Sequence, residues 1–239
     1  MKIAALAVCL LLAACSDDPE RAAMPTPAPP AVDPACPNQE AVVGDASLRA
    51  GTPASGDVDG DGEPEEVAIH VDPDGPAGCL AFVVAESSGG SLAGPLETWR
   101  EDFGLPVPTI NTLVDVDGEP GDEVVVNMGI GASTQFVGIV TARDGALVQV
   151  TTRGLEDAGE GVFGFGGSVG HVEAVDCTGS GEVVSSFAAP AGKRYRVERR
   201  YLDFDGTKLV FDRREVERIA IEELDRLPEY PASPFGSCS

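Results

Sequence analysis

The residues best spaced for chemistry are acids. Gly56 to Ile69 reads GDVDGDGEPEEVAI, with Asp57, Asp59 and Asp61 at loop positions 1, 3 and 5. Gly62 takes position 6 and Glu65 position 9. A hard cation such as calcium binds through about six to eight oxygens. Alternating acids in a tight loop aim carboxylates at one point, and glycine at position 6 lets the chain reverse. The backbone carbonyl of Glu63 and the carboxylate of Glu65 then complete the shell. Without a cation these acids repel one another. An EF-hand does not fit, because position 12 is Ala68, where that motif places a bidentate glutamate. Val67 to Val71 also reads as strand rather than helix. The plainer alternative is an acidic turn, since Asp and Gly suit turns on their own account.

A second copy, DVDGEPGDEVVV, begins at Asp115. Asp115, Asp117 and Glu119 keep the alternation, Pro120-Gly121 intervenes, and Asp122 and Glu123 precede a strand. The shift of about one residue loosens the ligand spacing, so this is the weaker loop for calcium. A third copy, DCTGSGEVVSS, begins at Asp176 and holds Thr178 and Ser180 at the acid positions. No ion is expected there. The copies start at 57, 115 and 176, a period of about 60 residues, and fixed-period similarity is a signal at the level of the fold.

A DxDxDGxxE loop feeding a strand at this period resembles the FG-GAP/VCBS repeats of integrin-type β-propellers and bacterial surface proteins. Phe103-Gly104 stands where the "FG" of that family would, Gly129-Ile130-Gly131-Ala132 resembles its "GA" end, and Phe165 to Val169 precedes the third copy. The resemblance covers roughly 43 to 190. It implies a mostly β fold with repeats near 43–102, 103–162 and 163–192. It also implies a small or partial β-propeller, calcium in the first loop, and a non-enzymatic structural or binding role. Three repeats fall short of the usual four to eight or so blades of a closed propeller, so either a C-terminal β-hairpin over 193–219 completes a fourth blade, or the domain is a partial propeller or an open β-assembly clamped by disulfides.

The elements that must position these loops read as short strands. Leu80–Val84, Val137–Val140 and Leu147–Val150 are apolar runs between breakers. Asp144-Gly145 predicts a hairpin turn between the last two. Tyr195–Phe204 and Thr207–Arg218 flank Asp205-Gly206, a second predicted two-residue turn. An amphipathic helix competes over 212–227. The favoured reading is strand to about 219, then a helical turn near Glu222–Leu227 stopped by Pro228.

The N-terminus predicts export. Lys2 precedes an apolar run from Ile3 to Leu12, too short to cross a bilayer. Leu12-Ala13-Ala14-Cys15 and the polar residues after it resemble the lipobox of bacterial lipoproteins. The resemblance implies a signal peptide over 1–14, a lipidated Cys15 as membrane anchor, and display on the extracytoplasmic face of the cell membrane. The alternative is an ordinary cleaved signal with an incidental cysteine. Residues 15–35 form the anchor and a Pro/Ala-rich tether, and 36–239 form one β-rich domain. Four cysteines remain: Cys36, Cys79, Cys177 and Cys238. An even number in an exported chain predicts two disulfides with three possible pairings. Cys36–Cys79 and Cys177–Cys238 are preferred, each closing one end of the domain. Their spacings match no compact zinc site.

The chain carries 40 Asp+Glu against 16 Lys+Arg, a net charge of −24. That field repels nucleic acid. The basic stretch Lys193, Arg194, Arg196, Arg199 and Arg200 either pairs with acids on neighbouring strands or meets an anionic wall polymer. No GxSxG or HExxH signature occurs, and the chain is not expected to be an enzyme. A hydrolase would have to gather His171 with Asp176 or Glu173. Another alternative is a lectin-like or adhesin module that binds cell-wall glycan or a protein partner. Trp99 is the only tryptophan, so a sugar-stacking platform has little obvious material.

Overall fold

The protein is described from a computed structural model, which covers residues 30–154, 161–179, 181–226, 230 and 232–238. Cys15, the signal segment and most of the tether lie outside the described residues. Among the described residues no helix is long and apolar enough to cross a membrane.

The fold is mostly β and almost entirely antiparallel. A short helix α1 (Gln39–Gly44) leads into β1 (Arg49–Gly56), β2 (Glu65–Val71), β3 (Ala81–Ser87) and β4 (Gly90–Pro95). These four pair in chain order as one sheet. Next come β5 (Thr109–Val114), β6 (Glu123–Ile130), β7 (Thr134–Arg143) and β8 (Ala146–Gln149), again paired in order. The short β9 (Thr151–Arg153) precedes β10 (Val162–Ser168), β11 (His171–Gly179), β12 (Glu182–Ala191), β13 (Arg194–Asp205) and β14 (Lys208–Ala220). β9 adds in parallel to the start of β14. β10 pairs with the first half of β7 while β8 pairs with the second half, so β5 to β14 form one continuous ten-stranded sheet.

Two apolar cores order the strands into three layers. Val67 and Ile69 of β2 and Ala81, Val83 and Ala85 of β3 pack with Val124, Val126 and Met128 of β6, and Trp99 fills the same core. Val125 of β6 and Val137 and Ile139 of β7 face the other way, onto Phe163, Val175, Val183 and Leu202. Side chains alternate along a strand, so β6 reads as an unbroken apolar run because both of its faces are covered. The outer layers are closed at each end. Val42 of α1 and the Cys36–Cys79 disulfide cover Phe82 and Val84 on one side. A 3-10 turn over Ile221–Arg226 brings Leu224 onto Val197 and Ile219 on the other.

Both disulfides join the preferred partners, across 43 and 61 residues. Loops of those lengths place the stabilisation of each near 4 kcal/mol in the chain-entropy account. The turn at Asp144-Gly145 is present, with φ of 52° and 80°, the pair of left-handed residues that a type I′ hairpin requires. The second turn is corrected by one residue. Asp205 pairs with Lys208, so Gly206-Thr207 is the tip, and a separate register irregularity lies further along at Tyr201/Leu202. The helix α1 has no counterpart in the sequence reading. Trp99 is buried in the first core.

Candidate metal centre

Each acidic copy joins two neighbouring antiparallel strands. The first links β1 to β2, the second β5 to β6, the third β11 to β12. In the first, Asp57 accepts N–H bonds from Gly60 at 2.8 Å and Gly62 at 3.0 Å. Asp59 accepts from the Asp61 N–H at 3.1 Å, and Asp61 from the Glu63 N–H at 2.7 Å. These bonds hold the side chains against the loop backbone, with Asp57 half-buried and Asp59 and Asp61 exposed, and one carboxylate oxygen of each lies within 4.8 Å of the others. Glu65 is buried, 2 % exposed, and its Oε2 accepts the Val58 N–H at 2.8 Å. Its Oε1 is buried with no hydrogen-bond partner. Burial, the nearby Asp59 and the nearby Asp61 push the Glu65 carboxyl above its ordinary range, against the pull of the backbone bonds. Glu63 is exposed, and its N–H donates to Asp61.

The second loop repeats this frame but satisfies it differently. Glu123 Oε2 accepts the Val116 N–H at 2.8 Å, the counterpart of the Glu65–Val58 bond. Its Oε1 accepts the Thr141 hydroxyl at 2.9 Å. Asp115, Asp117 and Glu123 converge within 4.8 Å. Here, however, the Arg143 guanidinium closes on Asp117 Oδ2, whose side chain is only 4 % exposed. A fixed cation of the protein already occupies the loop. Burial raises the Glu123 carboxyl to about 7, despite its hydrogen bonds. Glu119 is exposed and donates its N–H to Asp117, so it stands apart from the converging oxygens.

Asp122 belongs between the loops. Its N–H donates to the Asp57 carbonyl at 2.6 Å. Burial, Asp57 and Asp115 all raise its carboxyl. The loops interlock at their glycines: a Cβ on Gly60 would lie 2.5 Å from the Pro120 carbonyl, and one on Gly121 would lie 2.8 Å from the Val58 carbonyl. This packing between copies was invisible in each copy read alone.

The third copy is two residues shorter and forms a bulged hairpin, with Cys177 opposite Val183 and Gly179 opposite Glu182. Asp176 is buried, and the C-terminal segment fills its place, with the Ser237 N–H donating to its Oδ1 at 2.9 Å. Thr178 bonds Glu182, and Arg213 pairs with Glu182 at 2.5 Å. Ser180 lies outside the described residues. The Gly181 N–H donates to the Val116 carbonyl at 3.1 Å, so the third hairpin leans on the second loop as the second leans on the first.

The histidines are separate. His70 is buried against α1, with Nδ1 2.9 Å from the Val42 carbonyl. His171 Nε2 lies 3.2 Å from Thr134 Oγ1 and 3.4 Å from Glu173 Oε1. Both contacts fall on one ring nitrogen. A nucleophile–base–orienter relay needs them on opposite nitrogens. Asp176, tied to the C-terminal segment, is not gathered with His171.

No known protein-family model matches the chain, and neither a curated protein nor a solved structure resembles it detectably.

Proposed function

We propose that this chain is a lipid-anchored, calcium-stabilised β module on the extracytoplasmic face of the membrane, with a structural or binding role rather than a catalytic one. Its three strand–loop–strand units are consecutive blades of the FG-GAP/VCBS kind, with the β13–β14 hairpin extending the third. The observation that carries this reading is a contrast among the three copies. The second holds Arg143 on its acids and the third holds Arg213. Among the described residues, no Lys or Arg nitrogen pairs with Asp57, Asp59, Asp61 or Glu65. Among the described residues, only the first loop combines converging carboxylates with no internal countercharge; it also holds a buried unpartnered Glu65 oxygen and has Asp122 as a neighbour.

The donor set fits a hard divalent ion, which prefers carboxylate and carbonyl oxygens and tolerates irregular geometry. Asp57, Asp59 and Asp61 would hold it, Glu65 would back it, and Asp122 would join from the adjoining loop. The ion would tie β1, β2 and the second loop together, since Asp122 and Pro120 are already packed against the first loop. Melting curves of the metal-stripped chain, with calcium restored or withheld, test this. Calcium at a hundred times Kd should add about 2.7 kcal/mol. An unchanged midpoint would remove calcium from the account.

A further inference from the structure

We propose that the cleft between the second and third layers binds an uncharged oligosaccharide. The faces of β11, β12 and β13 that carry Val175, Val183 and Leu202 into the second core continue beyond it as Glu173, Ser185, Phe187, Glu198 and Arg200, and there they line an opening of about 1010 Å³. That is at the upper end of the roughly 300–1,000 Å³ usual for ligand sites. The facing wall is the connection after β4, with Glu97, Thr98, Arg100 and Asp102, together with Ile130.

Three features select the ligand. The first is an apolar platform. Phe187 is 44 % exposed, and the His171 ring lies beside it, nearly parallel, with centroids 6.0 Å apart and 14° between the planes. Ile130 is equally exposed on the other wall. The apolar faces of sugar rings suit such a platform, as an aromatic ring gains by covering its face. The second is a mixture of donors and acceptors: Arg100 and Arg200 only donate, while Glu97, Asp102 and Glu173 only accept. A hydroxyl does both, so a polyol engages the two kinds together. The third is charge. The chain stands at −24, and that field disfavours an anionic wall polymer. Glu198 is pre-set: Arg196, Arg200 and Arg214 lie within 3.2 Å of its oxygens. The cleft shares no residue with the acidic loops, so this inference stands or falls apart from the calcium reading.

The test is calorimetric titration of the full chain, both calcium-loaded and metal-stripped, with chitotriose, cellotriose, maltotriose and trigalacturonate. At least one neutral trisaccharide should bind saturably. Phe187→Ala should weaken it at least tenfold and Arg100→Gln several-fold, each with the wild-type melting midpoint, because both side chains are exposed. The proposal is overturned if no neutral trisaccharide binds, if only trigalacturonate does, or if neither substitution changes the affinity of a binder.

Discussion

Replacing Arg143 by glutamine should convert the second loop into a cation site. Arg143 is the countercharge that lets Asp115, Asp117 and Glu123 converge without an ion. Removing one partner of a buried pair costs about 3–5 kcal/mol, because the other charge is stranded. The Asp117 side chain is 4 % exposed but that of Arg143 is 32 % exposed, so water moderates the loss to about 2 kcal/mol in chelator. That is a large part of a stability of roughly 5–15 kcal/mol. Calcium should then restore most of it, and a calcium titration should count two sites where the wild type shows one. Urea unfolding in chelator and in calcium measures the first effect, and calorimetry the second. The reasoning fails if Arg143→Gln loses nothing in chelator, or if it loses the same amount in calcium and still binds a single ion.

Further predictions concern pH and the loop interlock. Glu123 has a folded value of about 7 against an ordinary 4.5, so the folded chain keeps a proton that the unfolded chain releases. Its contribution is whole below about pH 4.5 and is lost as the pH rises to about 7, amounting to about 3 kcal/mol. In chelator, Glu123→Gln should flatten that fall in denaturation midpoints measured across pH, and an unchanged profile would remove burial of this carboxyl as its cause. Gly60 and Gly62 both have positive φ, at 77° and 88°, but only Gly60 is walled in, by the Pro120 carbonyl. Gly62→Ala should cost about 1 kcal/mol and Gly60→Ala distinctly more, read from thermal midpoints. Equal losses would mean that the two loops do not bear on each other.

Much of this was legible in the sequence because it is local. Alternating Asp with Gly at fixed spacing gives the loop, Asp144-Gly145 gives the turn, and the even cysteine count gives two disulfides with three possible pairings. What stayed hidden is relational. Arg143 is 26 residues from Asp117 and meets it only because β7 pairs beside β6. Asp122 reads as part of the second loop, yet it packs against the first. Phe187 is one phenylalanine among nine, and only the divergence of two layers leaves it uncovered, while Trp99, the more conspicuous aromatic, fills a core. The second hairpin tip moved by one residue because Gly206, with φ of 64°, takes the first turn position, where a type II′ turn wants glycine.

The most direct measurement is an anomalous difference map from crystals grown in calcium. It should show one strong peak, about 2.3–2.6 Å from oxygens of Asp57, Asp59 and Asp61, and none beside Arg143 or Asp176. A map empty at Asp57, or one whose peak lies at Asp115 and Asp117 instead, would contradict the account.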